Sequence, residues 1–349
     1  MTQETRWGDL FAGLSAGSPV AHYVQRNINV VRLILARGLA EKGFILEPLE
    51  KAREREQVRK LLWKILPERE GVTKGAFVYV PPNTRLEVPL SMCFVVDRGI
   101  QEVHNVLLVG ENSEVAVLTT CVSAGEGEVH EGFTEVFLER NAKVDYVMIH
   151  GWLKKTKVVA ETGVLAGEGA RLNELYVAFR SPIELKSYTR VVAEKGASAL
   201  SSTLYVSTGG SSTLETYVAL AEEASAEVAS RVVAARGSQI RLPITVEARG
   251  ANARGHIECR SLQLDPDSSV ETIPSLRSLY GGAQLSHEAA IGKLSQEELE
   301  YLMSKGFSED EAVTLLIRGF LELGVRGLPK PLEPQVQAML SLISKAAKG

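Results

Sequence analysis

The sequence predicts a mainly β protein, a parallel β-helical solenoid of about 28 residues per coil flanked by α-helical segments at its amino and carboxy ends. Three observations carry that reading. From Gly71 to about Leu279 the chain is written in short alternating or β-branched runs, among them AFVYV, EVAVLTT, TEVFLE and RLPITV, separated by Gly, Ser and Asn. A small-residue fragment recurs as GENSEV, ERNAKV, GEGARL, EKGASA and AEEASAEV; with Ser113, Ala142, Ala170, Ala197 and Ser225 as equivalent positions the spacings are 29, 28, 27 and 28 residues. At both ends the apolar residues return to three- and four-residue spacing.

A fixed period near 28 marks a solenoid. The LxxLxLxxN pattern of leucine-rich repeats is missing, so short strands joined by small-residue turns fill each coil. A sandwich of hairpins of similar length is the alternative.

Taken in order, residues 1–70 are expected to form an N-terminal helical segment. VAHYVQRNINVVRLILARGLAEKG and KAREREQVRKLLWKIL read as helix from about Ser18 to Ile65. Residues 71–280 form the β-helix core. Residues 281–349 form a C-terminal helical domain, the helical pattern resuming at Leu285. SQEELEYLMSKG opens on a capping box, Ser295 with Glu298, and ends at Gly306; SEDEAVTLLIRGFLELG repeats the device with Ser308 and Glu311; a further helix runs from Pro334 to Ala347.

Composition removes several functional classes. A formal net charge of −4 without a basic block gives little attraction to phosphate backbones, so nucleic acid is not an expected partner. No apolar run approaches the roughly 20 residues of a membrane span, and the start MTQETRWGDLF lacks the pattern of a secretory signal. A cytoplasmic protein is expected. Cys93, Cys121 and Cys259 are far apart with no CxxC pair, which fits reduced thiols and excludes a self-contained zinc site. No GxxxxGK[ST] sequence is present, so ATP hydrolysis would belong to a separate subunit.

SHEAAIGKLSQEELEYLMSKGFSEDEAVTLLIRGFL resembles the carboxy-terminal signature of the SufB/SufD family. GAFVYVPPNTRLEVPL, EVAVLTTC with VHEGFTEVFLERNAKVDYVMIHGW, and HIECRSLQLDPDSSVETIPSL agree with it, so the likeness runs from about residue 72 to 321. The resemblance implies a right-handed parallel β-helix and a scaffold that receives sulfur and iron and builds a transient iron–sulfur cluster at a dimer interface. Its implied partners are a SufC-type ATPase, a second copy or a SufB/SufD paralogue, and a sulfur donor protein.

By the same resemblance Cys259 in HIECRSL and His287 with Glu288 in SHEAA are cluster ligands. A mixture of thiolate, imidazole and carboxylate suits a cluster that must later be released. Cys121 in AVLTTCVSA matches the family's sulfur acceptor and is followed nine residues later by His130. Such a thiol attacks as thiolate, so a lowered pKa is expected, although no Lys or Arg adjoins it in sequence.

The chain departs from the SufB pattern at Val95, where Arg is usual, and at Thr119-Thr120, where Glu-Gly is usual. HEAAIGKL combines SufB-like and SufD-like features, which keeps open a SufD-like structural partner that accepts no sulfur. A β-helical polysaccharide-active enzyme would need a cluster of acids that does not stand out. Cys93 is assigned to the core. On the helical hairpin, Leu299, Tyr301, Leu302, Phe307, Leu315 and Phe320 are expected to face the ATPase. With 138 residues, close to five coils, between them, Cys121 and Cys259 should lie about 24 Å apart, with polar residues facing inward along any passage.

Overall fold

The computed structural model describes residues 20–346 apart from 126, 154, 180, 181, 326 and 329. A parallel β-solenoid of about eight turns, about 28 residues each, forms its body. Successive strands alternate between a ten-stranded and a nine-stranded sheet: Glu114–Ser123 lies in the first, Val129–Leu138 in the second, Lys143–Gly151 in the first again. Each therefore pairs in parallel with the strand two further along the chain.

The recurring fragment is the corner of each coil. Asn112, Asn141, Gly169, Gly196, Glu223 and Asn252 take φ of 57, 56, 66, 65, 58 and 57°. These are left-handed conformations that Gly and Asn tolerate best. The next residue, Ser113, Ala142, Ala170, Ala197, Ala224 or Ala253, is buried against the coils on either side. Register sets Ser198 opposite Ser225, so the counterpart of Ala197 is Ala224, one residue before the serine chosen by comparing fragments. Side-chain amides link neighbouring corners, Asn112 donating to Asn83 at 3.3 Å and Asn141 to Asn112 at 3.1 Å.

The amino-terminal region departs from expectation. The long helix read over 18–65 is instead, within the described residues, a hairpin of strands Ala21–Arg26 and Asn29–Leu35, then helix α1 (Arg37–Glu41), strand Ile45–Pro48, and single-turn helices α2 (Leu49–Ala52) and α3 (Glu56–Arg59). Residues 18 and 19 lie outside the described set. Ala21–Arg26 pairs in parallel with Leu90–Val96 and so satisfies the open edge of the first coil, a tertiary demand that overrides local periodicity. Asn27, at φ 50°, makes the turn, and Val30, Val31 and Ile34 suit the strand that follows.

Glu135 ties the segment after α3 to the solenoid. Its buried carboxylate accepts the backbone N–H groups of Trp63 at 2.6 Å, Ile65 at 2.7 Å and Leu66 at 3.3 Å, and pairs with His104 Nε2 at 2.9 Å.

A second correction falls at the other end. Residues 284–292, expected to resume helix from Leu285, form the strand Gln284–Gly292 on Arg254–Gln263, so the solenoid continues past residue 280. Helices α4 (Gln296–Ser304), α5 (Glu309–Glu322) and α6 (Glu333–Ala346) then follow close to their predicted positions. Ser308 and Glu311 form the full reciprocal capping box; Ser295 accepts from the Glu298 N–H. Ile317, Leu321, Val336 and Met339 pack on the outer face of the ten-stranded sheet against Leu118, Ile149, Val177 and Val206. The alternate residues of those strands face the solenoid interior.

Candidate functional site in the solenoid interior

Cys121 points inward from Glu114–Ser123 and is 4% exposed. His150 is its register partner on the adjacent strand, and His130 projects from the opposite sheet. The three line a small cavity, with Thr119, Thr134 and Asn105 also on its wall. Gln101 accepts from His130 Nδ1 at 2.9 Å, while its own amide nitrogen donates to the carbonyls of Asn27 and Val95 at 2.9 and 3.1 Å. His150 Nδ1 lies 3.0 Å from the Tyr176 hydroxyl. Both rings pack on Trp152, with centroids 4.8 and 5.1 Å away. Both Nε2 atoms are buried with no hydrogen-bond partner among the described residues.

Burial dominates the electrostatics. It lowers His130 to about 3 and His150 well below the usual imidazole range, so both rings rest neutral. Burial, with the Cys93 thiol nearby, holds the Cys121 thiol well above its ordinary value. The lowered pKa expected of a resting sulfur acceptor is therefore not found; Cys121 rests as a thiol. Cys93 is buried, as expected of a core residue.

Cys259 is also fully buried and faces inward, paired with Ser230 on one side and Ala289 on the other. His287 stands opposite Ile257, an even step from Ala289, and so shares the Cys259 face. Glu288 stands opposite Glu258 on the other face and is paired with Arg260. Arg260 also reaches Glu258 at 3.0 Å, and Glu258 receives Arg231 at 2.6 Å. The structure thus brings Cys259 and His287 to one face of adjacent strands and turns Glu288 away into an ion-pair ladder. Burial raises the Cys259 thiol, and the polar Ser230 beside it opposes that shift. Among the described residues no group of three His, Cys, Asp or Glu side chains is placed to hold a metal ion.

Gln284–Gly292 is the last strand of its sheet and is almost wholly exposed. Leu279, Tyr280 and Ile291 expose 60, 55 and 47% of their surface at this end.

Cys121 and Cys259 share one sheet and one face, with five strand-to-strand steps between them, which at about 4.8 Å each gives about 24 Å. The inward row that ends on Cys259 reads Thr119, Met148, Tyr176, Thr203, Ser230. In the neighbouring row Glu174 is buried and accepts from Ser201 at 2.8 Å; burial raises its carboxyl to about 7. Polar residues do face inward between the cysteines. Sequence reading missed Glu174, Gln101 and His150; the available signal was an even step from an inward-facing neighbour, as with Leu172 and Glu174.

On the helical hairpin Tyr301, Phe307 and Leu315 are exposed, and Leu299 and Leu302 are partly covered. Phe320 packs toward the solenoid, where the Arg231 guanidinium lies 5.8 Å from its ring centroid. A groove between α5 and α6 is lined by Phe307, Thr314, Leu315, Arg318 and Ser341.

The class these features define is a two-sheet parallel β-solenoid with thiols inside, an open terminal coil and an attached helical hairpin. Residues 94–320 match the family model described as the SufBD core domain of the SUF system of FeS cluster assembly, and the chain belongs to that family. An Iron-sulfur cluster assembly SufBD family protein of Archaeoglobus fulgidus is 30% identical over 319 residues, covering 87% of this chain and 86% of that protein. A SufBD family protein of Methanothermobacter thermautotrophicus strain Winter is 33% identical over 288 residues, 80% of this chain and 70% of that protein. One from Pyrococcus horikoshii is 28% identical over 343 residues, 91% and 75% of the two chains. Membership places the chain in iron–sulfur cluster assembly. Among the described residues no helix is long and apolar enough to cross a membrane.

Proposed function

We propose that this chain is a scaffold on which an iron–sulfur cluster is built as cargo, with Cys259 and His287 as ligands at the open end of the solenoid. The observation that carries this reading is the placement of Cys259 on the last strand but one, sharing its face with His287. One chain offers two such ligands, half of the usual four. A second copy, or a SufB/SufD paralogue, docked end to end over Leu279, Tyr280 and Ile291 would complete the set. Glu288 would contribute only on release from Arg260.

Cys121 is the candidate sulfur acceptor from a donor protein, and the inward polar rows support passage of sulfur toward Cys259 inside the solenoid. A SufC-type ATPase would dock on the exposed face carrying Tyr301, Phe307 and Leu315, leaving Phe320 to hold the hairpin to the solenoid. Leu315→Asp should abolish ATPase co-purification with little effect on folding.

Anaerobic reconstitution with iron and sulfide tests the scaffold reading. Absorption and Mössbauer signals of a cluster are expected for wild type and not for Cys259→Ala. A cluster of equal yield on both overturns the assignment of Cys259. The resting, protonated state of Cys121 favours a second reading, a structural partner that takes no sulfur; Cys121→Ala would then assemble clusters normally with the donor protein.

A further inference from the structure

We propose that His130 is the base that removes the Cys121 proton during sulfur uptake, and that Gln101 fixes the tautomer that lets it do so. The inference rests on the reading of Cys121 as sulfur acceptor.

Gln101 is the starting point. Its amide nitrogen donates to two backbone carbonyls, of Asn27 and Val95. That fixes the side chain so that its carbonyl oxygen, which can only accept, faces His130 Nδ1. Nδ1 therefore carries the proton of the neutral ring, and Nε2 is left with a lone pair. Nε2 is buried, has no partner among the described residues, and belongs to a side chain on the wall of the cavity that Cys121 also lines. Gly132 makes room for it: a Cβ at that position would sit 2.8 Å from His130 Nε2. A nucleophile, a base and a group that orients the base recur in thiol catalysis on unrelated folds. Here they come from the strands Glu114–Ser123, Val129–Leu138 and Ile100–Val109.

The step balances without an outside oxidant. A donor persulfide, R–S–SH, presents its outer sulfur to Cys121. His130 Nε2 takes the Cys121 proton, the Cys121 sulfur bonds to the outer sulfur, and the donor S–S bond breaks. R–S⁻ leaves and recovers a proton from the imidazolium, so the products are Cys121–S–SH and R–SH. Because burial keeps thiol and imidazole neutral at rest, the ion pair forms only as the electrophile arrives. The same neutrality protects Cys121 from adventitious oxidation.

The test treats full-length protein with cysteine persulfide under anaerobic conditions and follows the Cys121 peptide by mass spectrometry, beside ¹⁵N-histidine NMR of the untreated wild type. Wild type should gain one sulfur at Cys121, and His130→Gln, with unchanged near-ultraviolet circular dichroism, should do so about 100-fold more slowly. NMR should show His130 as the Nδ1–H tautomer. Equal rates in a folded variant, or an Nε2–H tautomer, overturn the role of His130 while leaving Cys121 as acceptor. If the substitution unfolds the chain, the wild-type tautomer decides. No sulfur on wild-type Cys121 overturns the acceptor reading and this inference together.

Discussion

Cys121 and Cys259 stand on one sheet, on one face, five strands apart; both are buried thiols raised by burial, and what differs is what covers them. Around Cys121 the interior is closed by Trp152, Tyr146 and the two histidines, and the amino-terminal segment is tied to the neighbouring coils through Glu135. Around Cys259 the last strand is exposed and its apolar residues are uncovered. The contrast teaches that the covering of the end of the stack sets how a residue near it is held: outside the strand of Cys121 lie Leu90–Val96 and the hairpin Ala21–Arg26 with Asn29–Leu35, whereas outside the strand of Cys259 lies only the exposed Gln284–Gly292. Both thiols are buried, but Cys259 is separated from the open end by a single uncovered strand.

The largest effect should separate the two regions on stability. Trp152→Ala removes a fully buried side chain and should cost about 3–5 kcal/mol in chemical denaturation. Ile291→Ala should stay within about 0.5 kcal/mol for the isolated chain and lower self-association measured by sedimentation. Equal losses would show that the open end is as tightly packed as the coils around Cys121.

Glu174 provides the next largest effect, through pH. Its folded pKa of about 7 lies above the ordinary carboxyl value of about 4.5, so between them the folded state holds a proton that the unfolded state has released. The associated stability is complete below about pH 4.5 and is lost as pH rises through about 7. Glu174→Gln should therefore flatten this dependence and stabilise the chain at pH 8 by about 3 kcal/mol. Parallel pH profiles for variant and wild type would place the carboxyl outside the dry interior.

Much of the fold was legible because the corner of each coil has a local chemical requirement. A left-handed residue followed by a small one leaves a trace in sequence at Asn112-Ser113, Asn141-Ala142 and Gly169-Ala170. The helix caps at Ser295 and Ser308 were legible for the same reason. The amino-terminal hairpin was not, because Ala21–Arg26 is a strand by virtue of its pairing with Leu90–Val96, a partner some 70 residues away in sequence. At the site, family likeness supplied Cys121, Cys259, His287 and Glu288, but only register shows that His287 shares the Cys259 face and Glu288 does not. Gln101 was invisible for a related reason, since its role depends on two carbonyls and an imidazole that meet only in the folded chain.

Thiol labelling sharpens the contrast with a smaller effect. In native protein, iodoacetamide should modify Cys259 at least about tenfold faster than Cys121, because opening the terminal strand exposes the first whereas the second needs the closed interior to open. Comparable rates would mean that both thiols are reached through one global opening.

The smallest effect tests whether the two ends communicate through the coils between them. Glu223 holds φ at 58° in a corner where neighbouring coils use Gly196 and Asn252. A side chain with a Cβ is disfavoured there by about 1 kcal/mol, so Glu223→Gly should raise stability by about that amount, less the larger chain entropy glycine brings to the unfolded state. The substitution lies between the two cysteines and touches neither. If labelling of Cys259 follows local opening of the last strand, its rate should be unchanged while Cys121, exposed only by wider opening, is labelled several-fold more slowly. Slowing of both to the same degree would show that the terminal coil opens only together with the coils around Cys121.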